Sequence, residues 1–303
     1  MFRPASIVLA LALVLSTVPA LAADGFWLDG QGRVFTIDSY GRIAIDGGST
    51  SWSPDRQNLD LHVAETGDAF YTDSYGRLCR NGSELGYSWI RPHYFKVDGD
   101  GDVYTVKDWV TQSIQRNGGD TGYEIQNGSG FVVDREGRLY YTSAKNGNLW
   151  ISGSDTGHAL DRDDFVVSPG GDLYFANHLP PNRHQLFRYR PGAENSQHVA
   201  FLASYRGFAI DRRGNLYVAE QGWRITKNGQ DTGWRGPAVH LDGAGNCYFQ
   251  DQNGRICRNG QPTGYTAQGV MEVAANGDIV YVPDISSGEL YKNGRALGIR
   301  ITQ

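Results

Sequence analysis

The chain has 303 residues, and its 28 Lys and Arg against 33 Asp and Glu leave a formal charge of −5 with no basic run, which argues against a nucleic-acid partner. Its 40 glycines recur at fixed turn positions, which separates the sequence from low-complexity disorder. Three cysteines, Cys79, Cys247 and Cys257, make no CxxC or Cys/His pattern, so a zinc site of ordinary spacing is excluded.

Residues 1–23 read as a secretory signal peptide. Arg3 supplies positive charge, Ile7 to Leu15 an apolar core, and Ala20-Leu21-Ala22 a small-residue cleavage pattern. A membrane anchor is the alternative, but the apolar run is short and is broken by Ser16, Thr17 and Pro19. No later segment is long and apolar enough to span a bilayer, so the expectation is an exported monomer, periplasmic or extracellular, with no stable membrane insertion. In that compartment an odd cysteine count leaves at least one thiol unpaired. Cys247 stands where other repeats carry Val103, Leu139, Leu173 and Leu216, which suits a small buried hydrophobe. Pairing of Cys247 with Cys257 stays open, because sequence does not fix disulfide geometry.

From residue 24 to 303 one phrase returns eight times: a short apolar run, a polar turn, a glycine, then an aromatic or aliphatic strand. The anchor glycines are Gly32, Gly67, Gly101, Gly137, Gly171, Gly214, Gly245 and Gly277, spaced by 31 to 43 residues. Such a period signals a repeat architecture in which no unit buries its apolar faces alone. Repeat four, FVVDREGRLYYTSAKNGNLWISGSDTGHAL, shows the unit. Strand A is FVVD, strand B is RLYYTS, strand C is LWIS, and a turn containing GSDTG leads to strand D near HAL. B–C turns include Asp38 to Arg42, Asp73 to Arg77 and Asp251 to Arg255. C–D turns carry Asn-Gly at Asn81, Asn117, Asn228, Asn259 and Asn293, many followed by Thr-Gly and an aromatic. Helical periodicity is absent beyond the leader. Four-stranded units repeated radially predict an all-β fold: a single β-propeller of eight blades, with seven as runner-up. Strand A begins near Phe26 and the last strand D ends near Ile301, so each blade is contiguous and the ring must close by packing of faces.

FAIDRRGNLYVAEQGWRI resembles NHL-type propeller repeats, whose blades read apolar-Asp-x-x-Gly-x-aromatic-Val-Ala-Asp. FVVSPGGDLYF and the short Arg-Asn-Gly turns resemble tectonin- and tachylectin-type lectin propellers. The resemblance covers the chain from residue 24 as architecture. It implies a propeller from families that include sugar binders, protein-interaction modules and calcium-dependent lactonase-like enzymes.

Five sets of residues are candidates for function, on the expectation that B–C and D–A loops share the binding face. Tyr40, Tyr75, Trp109 and Trp223 fall in B–C loops, and Trp52, Trp89 and Trp234 at or near D–A loops. Flat rings beside Asp38 and Asp73 suit a sugar, whose C–H face stacks while its hydroxyls find carboxylates; packing between blades is the competing role. The second position of strand A reads Trp27, His62, Lys96, Val132, Val166, Ala209, His240, Glu272, which places a polar arc in consecutive blades around the channel. His62, Lys96, His240 and Glu272 suit acid–base chemistry or, as the favoured reading, a hydrogen-bonded channel lining. Asp161, Asp163 and Asp164 are the metal candidates, with Ca²⁺ the one cofactor considered. Asn127, Asn177 and Glu220 would serve a lactonase-like site. His178 and His184 flank a proline-containing B–C insertion suited to partner contact. The function expected is binding of a saccharide or cell-envelope glycan. A calcium-dependent lactonase-like hydrolase or lyase and a protein-interaction scaffold are the alternatives.

Overall fold

The computed structural model describes residues 25–56, 59–87, 95–98, 100–106, 112–126, 130–134, 136–159, 165–179, 183–204, 207–268 and 270–301. They form eight four-stranded antiparallel sheets, each built from contiguous chain in the order A-B-C-D, and no helix. The fold is an eight-bladed β-propeller. Blade 1 comprises Phe26–Leu28, Val34–Ile37, Ile43–Ile45 and Gly48–Ser49; blade 8 comprises Met271–Val273, Ile279–Tyr281, Glu289–Lys292 and Arg295–Arg300.

Strand B explains how the blades stack. Its residues are buried on both faces, so successive side chains serve opposite neighbours. In blade 4, Tyr140 meets Phe165 of blade 5 edge-on at 6.1 Å, while Tyr141 stacks on Tyr123 of blade 3 at 5.6 Å. The core is therefore eight separate apolar clusters, one at each seam between consecutive blades. Each fully buried large side chain contributes about 1.5–3 kcal/mol to a seam.

The last seam closes as the contiguous blades require. Phe26 and Val34 of blade 1 pack with Val280, Val282, Leu290, Ile299 and Ile301 of blade 8. Across it the backbone N–H of Asn276 donates to Gly30 O at 3.2 Å, Asn276 Nδ2 to Gln31 O at 2.8 Å, and Lys292 Nζ to Gly32 O at 2.8 Å.

The Thr-Gly-aromatic phrase lies inside strand D and not, as expected, in the C–D turn. In blade 6, strand D is Gln230–Arg235, and the turn before it is Asn228-Gly229 alone. Thr232 Oγ1 donates to Ile225 O at 2.6 Å, and the ladder shifts register between Ile225 and Thr226. The two residues left over, Thr232 and Gly233, make a β-bulge, with Gly233 at φ 77° supplying the backbone conformation. The bulge turns Trp234 toward blade 7, where it stacks on Phe249 at 5.8 Å and covers Gly260. Tyr123 and Tyr265 repeat the arrangement on blades 4 and 8.

One further expectation is corrected and one open question is answered. The insertion of blade 5 is no long loop: strands Leu173–Leu179 and Arg183–Tyr189 continue the hairpin upward, with His178 opposite His184. Only residues 180–182 separate the strands; they lie outside the described residues and include both prolines, which have no N–H for the ladder. Cys247 and Cys257 are not bonded; all three cysteines are buried free thiols, and burial pushes the Cys247 thiol up to about 12.

Candidate functional site

Antiparallel order puts every B–C turn on one end of the ring with the D–A connections, and every A–B and C–D turn on the other. The far end is occupied by turn chemistry. Asp29, Asp211 and Asp242 each accept two backbone N–H groups within their own A–B turns. Asp98 does the same with the N–H groups of Asp100 and Asp102.

On the B–C end, blades 1 and 2 carry the same sequence, Asp-Ser-Tyr-Gly-Arg, and the same geometry. Asp38 Oδ1 accepts from the N–H of Tyr40 and of Arg42, while Arg42 Nε and Ser49 Oγ donate to Oδ2. The hydrogen bond from Ser49, with those from the turn, brings the Asp38 carboxyl down to about 2. Asp73 is bound likewise by the N–H of Tyr75 and Arg77 and by Arg77 Nε at 2.8 Å. Burial alone would raise its carboxyl, but these bonds outweigh burial and lower it. Both carboxylates are thus engaged inside their own turns, which leaves them poorly placed for the hydroxyl-accepting role expected of them.

The tyrosines between them are exposed, each at 72%. Each ring is backed by the arginine of its own turn, with Arg42 Cζ 4.9 Å from the Tyr40 centroid and Arg77 Cζ 4.9 Å from the Tyr75 centroid. In blade 8 the tip of the corresponding turn is Ile285, 48% exposed. Blades 8, 1 and 2 are consecutive, so their turn tips form an apolar rim on the B–C end. Trp223, 44% exposed, projects from blade 6, separated from this rim by blade 7. Trp109 and Trp89 lie outside the described residues. Trp52 and Trp234 belong to the seams: each covers the C–D glycine of the next blade, Gly82 and Gly260.

Two pairs of the polar strand-A residues come together, each between neighbouring blades, while Trp27, Val132, Val166 and Ala209 at the same strand position pack in the seams. His240 of blade 7 and Glu272 of blade 8 approach at 3.5 Å, Nδ1 to Oε2. His62 of blade 2 and Lys96 of blade 3 are close enough to interact electrostatically. Burial, and then the Lys96 charge, bring the His62 imidazole down to about 4, so it is neutral at pH 7. Val132 and Val166 of blades 4 and 5 are buried apolar residues.

The metal candidates Asp161, Asp163 and Asp164 lie outside the described residues, as does Asn127. Among the described residues no group of three or more His, Cys, Asp or Glu is placed to hold a metal ion. Glu220 receives hydrogen bonds from Arg224 Nε at 3.0 Å and Thr226 Oγ1 at 3.1 Å within its own turn. The residues that sequence reasoning passed over are Arg42, Arg56, Arg77 and Ile285. Repetition of the Asp-Ser-Tyr-Gly-Arg turn contained the signal for Arg42 and Arg77; Arg56 and Ile285 had none.

No protein-family model and no curated protein matches this chain. Similar solved structures include XC5397 from Xanthomonas campestris, described as a gluconolactonase, at 15% identity over 76% of this chain and 93% of that one, with a TM-score of 0.33. A putative TolB from Agrobacterium tumefaciens is 12% identical over 73% and 84% of the two chains, with a TM-score of 0.40. The extracellular domain of the putative hybrid two-component system BT3049 from B. thetaiotaomicron is 11% identical over 85% of this chain and 48% of that one, with a TM-score of 0.31.

Proposed function

We propose that the protein is an exported propeller that binds a saccharide or cell-envelope glycan on its B–C end, across blades 8, 1 and 2. The observation that carries this reading is the rim itself: Ile285, Tyr40 and Tyr75 stand exposed at the turn tips of three consecutive blades. Large apolar side chains that serve no seam, on rigid hairpins, fit ligand contact better than folding. Tyrosine suits a sugar because one ring face stacks on C–H groups while the hydroxyl meets polar ones. The resemblance of the repeats to tectonin-type propellers, a group that includes sugar binders, points the same way. The test is a glycan array probed with the mature protein and with the double variant Tyr40→Ala/Tyr75→Ala. The reading expects saccharide binding that the double variant loses while its melting temperature is kept. Undiminished binding by the variant would remove the rim as the site.

A second reading, a calcium-dependent lactonase-like hydrolase or lyase at the channel mouth, draws on the His240–Glu272 pair, a geometry that suits proton transfer. It expects a melting point lowered by EDTA and lactone turnover lost in His240→Gln. Indifference to chelator together with no turnover would dismiss it.

A further inference from the structure

The two turns that carry the rim tyrosines differ in how their arginines are used. Asp38 and Asp73 are engaged by their own turns, and Arg77 is matched on both sides, by Asp73 at 2.5 Å and by Glu84 at 3.0 Å. Arg42 differs. Its Nε alone reaches Asp38, at 3.2 Å, and its other N–H groups have no acceptor among the described residues. Arg56, on the connection from blade 1 to blade 2, is exposed and has no hydrogen-bond or ion-pair partner among the described residues. Its position is nevertheless defined. The guanidinium lies against Gly41, in space that a Cβ there would fill, and the preceding residue is tied to blade 2 by Asp55 N–H donating to Thr72 O at 2.8 Å. Two guanidinium groups with N–H groups to spare thus sit on this turn, Arg42 over the Tyr40 ring and Arg56 against the adjoining Gly41, on a protein whose overall charge is −5.

We infer that the rim selects acidic saccharides, whose oxyanions are taken by Arg42 and Arg56 while the sugar ring lies on Tyr40. The inference rests on the glycan-binding reading above and adds the class of glycan. A guanidinium presents parallel N–H groups that match a carboxylate or sulfate, and such charge-assisted hydrogen bonds are about twice as strong as neutral ones. Attraction by a local pair of cations against an opposing net charge also makes binding fall with added salt.

The experiment measures binding of the mature protein to polygalacturonate, dextran sulfate and neutral dextran, at low and high salt. Tighter binding of either acidic polymer than of dextran, weakened by salt, is expected; the better of the two identifies carboxylate or sulfate as the oxyanion. Arg56→Gln should weaken the acidic polymer by roughly tenfold and Arg56→Lys by less, since charge remains but the paired donors do not. Arg190→Gln removes the same charge from a side chain 67% exposed on blade 5 and should change nothing. Equal losses in Arg56→Gln and Arg190→Gln would show a bulk charge effect and overturn the inference. Dextran bound as tightly as the acidic polymers, lost in Tyr40→Ala/Tyr75→Ala but not in Arg56→Gln, would overturn it while leaving the glycan reading intact. Binding to none of these polymers, nor to any glycan on the array, would overturn both.

Discussion

Tyr75 and Trp234 follow similar sequence logic, an aromatic beside a turn signal, and have opposite physical roles. Trp234 stacks on Phe249 at 5.8 Å and covers Gly260, so its ring is part of a seam. Tyr75 is 72% exposed and touches the Arg77 side chain of its own turn. Replacing Trp234 by Ala should therefore cost about 3 kcal/mol of folding stability, as for truncation of a packed aromatic. Tyr75→Ala should stay within about 0.5 kcal/mol, as for a surface residue outside any packed feature. Urea unfolding of the two variants checks both. Equal losses would mean that the rim tyrosines also hold the fold. Residue type was legible in the sequence, but the assignment of Trp52 and Trp234 to seams was not. A Thr-Gly-aromatic run gives no hint that its glycine sits in a bulge that rotates the aromatic toward the next blade.

At the level of the strand, that bulge is the recurring device. Thr121, Thr156, Thr232 and Thr263 each donate a side-chain hydrogen bond to a strand-C carbonyl, at 2.5–2.8 Å. The register shift also interrupts the outer edge of blades 3 to 8, which limits pairing with another chain. Two glycines separate its conformational part from its packing part. Gly233 has φ 77° and open space around a Cβ, whereas Gly260 has φ 81° and the Trp234 indole in the way. Gly233→Ala should cost about 1–2 kcal/mol, the strain of a left-handed alanine. Gly260→Ala should cost more, because the indole must also move. Chemical denaturation of the pair decides, and equal costs would show that the indole yields freely. Strand content and the Asn-Gly turns were readable from alternation and turn residues. The limits of strand D and the paired insertion of blade 5 were not, because hydrogen bonding across strands fixes where pairing stops.

Over the whole ring, function and stability divide by position. The eight seams hold the molecule together, while residues distant in sequence meet between neighbouring blades, as His240 does Glu272. His62 shows the consequence for pH. Its imidazole falls from an ordinary value of 6.5 to about 4 because burial, and then the Lys96 charge, disfavour the protonated form. The folded state therefore resists protonation that the unfolded chain accepts. The stability contributed by a neutral His62 is present in full above pH 6.5 and is lost as pH falls through the window from 6.5 to about 4. His62→Gln, which cannot titrate, should flatten that part of the curve of unfolding midpoint against pH. An unchanged slope would show that His62 is solvated like a free histidine.

Eight repeats, the propeller they imply and the contiguous blades follow from the sequence by itself, because periodic glycines, Asn-Gly turns and alternating apolar residues act through local backbone geometry. The second position of strand A also brought out residues that meet between neighbouring blades, His240 with Glu272 and His62 with Lys96, since strand order repeats faithfully from blade to blade. Only the tertiary structure decided which aromatics face solvent and which fill seams, that Asp38 and Asp73 are engaged by their own turns, and that Arg56 settles against Gly41. Those outcomes depend on contacts between blades and loops, and the residues of one blade do not specify what the next blade brings against them.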